Sequence, residues 1–133
     1  MGIMLKILGI ESTAHTIGVG IAIDEKPYII ANERASYIPE KGGIHPRESS
    51  RFLAEKAPEV LARALRAAST SIDDMDGIAI ALGPGLGPSL RVGATIARAL
   101  SLRYKKPLIP VNHGVAHIAV SYTHLTLPTN REV

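Results

Sequence analysis

The sequence predicts an α/β domain, a mixed sheet with helices packed on it, in the order β-β-β-α-β-α-β. Three observations predict it. Residues 3–10, 16–24 and 28–36 are short apolar or β-branched runs separated by turn residues, which is the spacing of a meander. Residues 47–68 and 89–104 repeat apolar side chains every three or four positions, as amphipathic helices do. Residues 77–82 and 108–111 are brief continuous apolar runs, the pattern of buried strands.

In the first run, Ile7, Leu8 and Ile10 lead to Glu11-Ser12-Thr13, where the strand should stop. Residues 11–15 are polar or small and form the hairpin connection. Ile17, Val19, Ile21 and Ile23 alternate with glycines and alanine, so the second run is a strand with one apolar face. Glu25-Lys26-Pro27 is the next turn. Residues 37–46 carry Pro39, Gly42-Gly43 and Pro46. They read equally as a mobile segment beside a site or as a plain strand-to-helix connection.

The first helix should start at Arg47 and bury Leu53, Ala57, Val60, Leu61, Ala64 and Leu65. Pro58 should kink it, because proline lacks the N–H that the ladder needs. Residues 68–76 are a polar connection. In the second helix Ser89 is placed to cap the amino terminus. Gly93, Ala94 and Ala97 are small enough to bring that helix close to a sheet. Asn112 precedes a further helical start.

Composition narrows the function. The chain has 133 residues, 46% hydrophobic and 20% charged, which is ordinary for a globular domain. Aromatic residues are 4% and tryptophan is absent, so the core must be Ile, Leu, Val and Ala. The absence of cysteine excludes disulfides, a zinc ribbon and a thiol nucleophile. A net charge of +3 is compatible with a nucleic-acid partner. The first residues are too short and interrupted for a signal peptide, and no apolar run is long enough to span a bilayer, so a cytoplasmic protein without a membrane partner is expected.

Three segments carry chemistry. Gly9-Ile10-Glu11-Ser12-Thr13-Ala14-His15-Thr16 lies at the first hairpin tip, where hydroxyls and free N–H groups either hold a phosphate or simply make a polar turn. Gly83-Pro84-Gly85-Leu86-Gly87-Pro88-Ser89-Leu90-Arg91 follows a strand and opens a helix, a setting for anions. It lacks the Gly-Lys-Ser/Thr ending of a phosphate loop and the spacing of a dinucleotide fingerprint, and tight packing explains its glycines as well. His113-Gly114-Val115-Ala116-His117 places two histidines four apart, on one face of a helix, where they either reach one ion or are surface histidines at a chance spacing. Metalloprotease chemistry of the His-Glu-x-x-His type needs Glu after the first histidine, and Gly114 stands there.

Taken in order with Gly42-Gly43-Ile44-His45-Pro46-Arg47, these segments resemble the tRNA threonylcarbamoyladenosine synthase family. The Ala-His-Thr form of the hairpin looks like its archaeal and eukaryotic branch, the catalytic subunit of the KEOPS complex. The resemblance covers about residues 4–119. It implies an actin/Hsp70/sugar-kinase-like (ribonuclease H-like) lobe at residues 1–119, with the second lobe missing. Residues 120–133 read as a non-native or disordered tail. The implied activity is transfer of threonylcarbamoyl from threonylcarbamoyl-AMP, a product of ATP, to N6 of adenosine 37 in ANN-decoding tRNA. His113 and His117 would be the catalytic metal ligands for one iron, zinc or magnesium ion. Ser12, Thr13 and His15 would line the nucleotide cleft, with Glu11 at the same tip. Implied partners are a small dimerising subunit on the 47–68 and 89–104 helices and a kinase subunit. One lobe alone should be inactive. A non-catalytic scaffold paralogue and an actin-fold small-molecule kinase are the competing readings.

Overall fold

The structure, a computed structural model, describes residues 5–12, 15–39, 46–83 and 87–112. The elements are β1 (Lys6–Ser12), β2 (Thr16–Ile23), β3 (Ile29–Ser36), α1 (Pro46–Ala67), β4 (Gly77–Ala81), α2 (Gly87–Tyr104) and β5 (Leu108–Val111). They follow the expected order. The five strands form one sheet in the order β3-β2-β1-β4-β5. β2 is antiparallel to both β1 and β3, while β1, β4 and β5 run parallel.

Strand alternation sorts the residues onto two faces. Leu8 and Ile10 of β1, Ile17, Val19 and Ile21 of β2, and Ile78 and Ile80 of β4 are buried in one cluster. α1 covers it with Leu53, Ala57, Val60 and Ala64, spaced four, three and four, and α2 adds Ala97. Each fully buried Leu, Ile or Val contributes about 2 kcal/mol, and an Ile/Leu/Val/Ala core needs no aromatic residue. The opposite face carries Gly9, Gly18, Gly20, Ala79 and Ala81, and no described helix covers it.

Several boundaries differ from expectation. β1 runs two residues further, so Glu11 and Ser12 are strand, not turn; pairing with Gly18 and Ile17 holds them there. Tyr28 belongs to the turn before β3, in the left-handed region at φ 65. α1 starts at Pro46 and runs through Pro58 without a break. Pro58 is exposed, and buried residues before and after it anchor both halves of the helix on the sheet. α2 starts at Gly87, two residues before Ser89, so Ser89 lies inside the helix and is not its cap.

The polar connection hides more structure than its composition suggests. It holds a 3-10 turn, Ile72–Asp74, and buries Ile72 and Met75. The Asp74 carboxylate accepts from Ser71 N–H, Ser71 Oγ and Thr70 Oγ1 at 3.0–3.1 Å. Those bonds, the Ser71 backbone first, hold its carboxyl below the usual aspartate range. β5, expected to be buried, is one of the two edge strands: Leu108 and Ile109 are 37% and 38% exposed.

Candidate active-site edge of the sheet

Because β1, β4 and β5 are parallel, their carboxyl ends reach one edge of the sheet, the place where open α/β sheets bind ligands. β2 begins and β3 ends at the same edge. Ser12, His15, Thr16, Gly83 and Asn112 are therefore neighbours in layout though far apart in sequence.

The hairpin tip is tied down. Thr16 Oγ1 and Ser36 Oγ share a hydrogen bond of 2.8 Å, and Tyr37 N–H donates to the His15 carbonyl at 2.7 Å. Tyr37 Oη then donates to Glu48 Oε2 at 2.8 Å, joining the exit of β3 to the first turn of α1. His15 itself is exposed at the tip.

Ser12 was expected to offer its hydroxyl to a nucleotide, and its placement is different. It is fully buried under α2. Its Oγ donates to the Ser89 carbonyl at 2.6 Å and accepts from Gly93 N–H at 2.9 Å. Those two backbone groups are four residues apart, the pair an undisturbed helix joins to each other. The serine hydroxyl thus bridges them and pins the first turns of α2 to the end of β1. Gly93 is required at that spot, since a Cβ there would land on Ser12 Oγ and lie 3.2 Å from Ile80 Cδ1.

Glu11, one residue earlier, points to the other side. It lines a cavity of about 270 Å³ on the uncovered face, with Gly9, Gly18, Asn32 and Arg34. Glu11 pairs across to Gly18, and Gly18 to Arg34, so the three form one row over adjacent strands. Gly18 has no side chain, which leaves open the space between a carboxylate and a guanidinium. The sheet therefore divides the expected nucleotide residues. Ser12 is on the helix side, Glu11 on the open side and His15 at the tip. Asn32 and Arg34 were not anticipated. Their two-residue spacing in β3 was visible, but which strand would face them was not.

Thr13, His113 and His117 lie outside the described residues, as does the 120–133 tail. The chain leaves β5 at Val111, and Asn112 follows at the same edge. Among the described residues there is no group of three or more potential metal ligands, and no helix is long and apolar enough to cross a membrane.

Comparison with known proteins agrees with this layout. The profile of the family described as tRNA N6-adenosine threonylcarbamoyltransferase matches residues 28–130. A relative of that name from Saccharolobus islandicus is 59% identical over 118 residues, which are 89% of this chain and 36% of the relative. The chain thus spans little more than a third of the curated relatives it matches. Among solved structures, YeaZ from Pseudomonas aeruginosa superposes with a TM-score of 0.68 at 14% identity, covering 91% of this chain and 49% of that one. ROK hexokinase from Thermus thermophilus superposes at 0.51 with 19% identity, covering 94% and 40%. At such identities the likeness is one of fold, and the fold is the expected actin/Hsp70/sugar-kinase-like lobe. On the match over residues 28–130, the chain belongs to the tRNA N6-adenosine threonylcarbamoyltransferase family.

Proposed function

We propose that this chain is the amino-terminal lobe of an enzyme that transfers threonylcarbamoyl from threonylcarbamoyl-AMP to N6 of adenosine 37 in ANN-decoding tRNA. The observation that carries the proposal is the family match over residues 28–130, a span that includes the His113/His117 pair. In the reaction the adenosine N6 bonds to the carbamoyl carbon, and the bond from that carbon to the phosphate oxygen breaks. AMP departs, and the amine's surplus proton leaves to water.

The residues divide the work. The Glu11 carboxylate faces a cavity of about 270 Å³, below the range typical of sites that enclose a whole small-molecule ligand. It needs a second wall, which the longer relatives have the length to supply. Ser12 positions the start of α2 and leaves the hairpin tip, with Thr13 and His15, to meet phosphate. In the sequence, His113 and His117 come soon after Val111, the last residue of β5. Two imidazoles four residues apart fit a borderline divalent ion, iron or zinc better than magnesium, with positions left for further ligands. Such an ion supplies Lewis-acid polarisation of the transferring carbonyl. The lobe alone, lacking the opposite wall, does not turn over. A KEOPS-type dimerising subunit docks on α1 and α2 and a kinase subunit elsewhere, in the cytoplasm.

The test uses the full-length protein with its partner subunits, threonine, bicarbonate, ATP and an adenylate-forming synthase. Threonine label in unmodified ANN-decoding tRNA is the expected result. Phosphorylation of a small sugar or carboxylate without tRNA would replace the proposal with the kinase reading. A chain that neither labels tRNA nor phosphorylates, yet assembles with partners, is the scaffold.

A further inference from the structure

The open face of the sheet holds a cradle of about 270 Å³. Gly9, Gly18 and Gly20 are its floor, and Ala79, Ala81 and Val111 form an apolar side. Ile10, Val19 and Ile80 lend it only backbone, because their side chains are buried on the helix side. Polar groups stand over the floor: Glu11 on β1, and Asn32 and Arg34 on the edge strand β3.

Two of the floor glycines answer no need of the chain itself. Neither Gly9 nor Gly18 has a left-handed φ. A Cβ on Gly9 would stand 4.0 Å from its nearest neighbour and one on Gly18 3.8 Å, both ordinary contacts. Glycine inside a strand weakens it. What these two provide is room above β1 and β2.

Asn32 and Arg34 are set around that room. Glu33, between them, turns to the helix side and pairs with Arg63 at 3.7 Å. Arg63 Nη2 also donates to the Arg34 carbonyl at 3.1 Å, which fixes the backbone there. The Arg34 guanidinium and the Asn32 amide bond no other described residue. Glu11 and Arg34 oppose each other across β2, about 10 Å apart at Cα. That gap suits a small group with an N–H donor at one end and an anion at the other.

We propose that this cradle selects the amino-acid end of the donor. Arg34 takes the carboxylate of the threonyl group, Asn32 its hydroxyl, and the apolar side its methyl, while Glu11 accepts from the carbamoyl N–H. The proposal rests on the transferase reading above and names the part of the donor that this face recognises. Arginine's planar fork matches a carboxylate bidentately. Glu11 already has an interaction within the chain, and a carboxylate has lone pairs for a further donor. Phosphate is the other anion Arg34 could hold. It offers no N–H to Glu11 and brings a second negative charge beside that carboxylate. The cradle is also too small to enclose the whole adenylate, which leaves the nucleotide to the hairpin tip.

The experiment uses the full-length protein with its partner subunits and three synthetic donors: threonylcarbamoyl-AMP, its counterpart without the carboxylate, and its counterpart without the hydroxyl. Values of kcat/KM for transfer to ANN-decoding tRNA are measured for wild type, Arg34→Ala, Arg34→Lys and Asn32→Ala. All donors meet the same preparation, so the ratio between donors does not depend on how much of a variant folds. Wild type should favour threonylcarbamoyl-AMP over the carboxylate-free donor about ten- to hundredfold. Arg34→Ala should abolish that preference by slowing only the donors that carry the carboxylate, and Arg34→Lys should keep part of it. Asn32→Ala should erase only the preference over the hydroxyl-free donor, about two- to tenfold. An undiminished preference in Arg34→Ala overturns the proposal. So does a loss equal on all donors, which assigns Arg34 to phosphate or tRNA. Wild type that uses the three donors alike overturns it and leaves the transferase reading standing; wild type that uses none brings down both.

Discussion

Replacing Gly93 by Ala tests how closely α2 lies on β1. Two effects compete. Alanine in a helix interior gains about 1 kcal/mol over glycine. Against that, the new Cβ would clash with Ser12 Oγ, and sit 3.3 Å from Ser12 Cβ and 3.2 Å from Ile80 Cδ1. Overpacking a tight core costs about 1–3 kcal/mol. Displacing the serine also breaks two buried hydrogen bonds, at about 1 kcal/mol each. The net is a loss of about 2–4 kcal/mol. Ser12→Ala alone should cost only about 1 kcal/mol, because Ser89 C=O and Gly93 N–H are helical partners of each other and stay satisfied without the hydroxyl. Combining the two removes the oxygen that the new methyl strikes. The double variant should therefore be more stable than the sum of the singles predicts, by about 1–2 kcal/mol. Urea unfolding followed by far-UV circular dichroism gives all three values. A stabilising Gly93→Ala, or a cycle additive within about 0.5 kcal/mol, would refute the close packing of Gly93 on the Ser12 hydroxyl.

Three further outcomes follow from the structure. Leu53→Ala, at a fully buried position of α1, should cost about 2–5 kcal/mol in the same unfolding assay. Asp74→Asn should lower stability at pH 7. The folded-state pKa of Asp74 is depressed, so its contribution is complete above the unfolded value of about 3.9 and is lost as pH falls through the lower folded value; melting curves of the two proteins should differ at neutral pH and converge in acid. Glu11→Gln in the full-length protein should cut transfer more than tenfold if the carboxylate's charge is used at the cleft, with a melting temperature within a degree or two of wild type.

Much of the fold was legible because alternation and helical spacing depend on nearby residues. Ile17, Val19 and Ile21 announced β2 and its buried side, and Leu53, Ala57, Val60 and Ala64 announced the inward stripe of α1. The failures have tertiary causes. Ile72 and Met75 sit in a polar stretch, and only the 3-10 turn directs them inward. Ser89 looked like a cap, yet the bond that matters there comes from Ser12, 77 residues away.

The candidate site was legible in its parts and not in its division. The hairpin motif named Glu11 and Ser12 together, but strand alternation sends them to opposite sides of the sheet. Arg34 and Asn32 carried no motif; they matter because Gly18 and Gly20 leave room above the neighbouring strand.

The most direct measurement takes the full-length protein with His113 and His117 both changed to Ala. Bound metal is counted by elemental analysis, and threonine label in tRNA is followed under the same conditions. The variant should fold, lose the ion and label no tRNA. A folded variant that still labels tRNA at the wild-type rate, or that keeps its full complement of metal, would contradict the metal assignment.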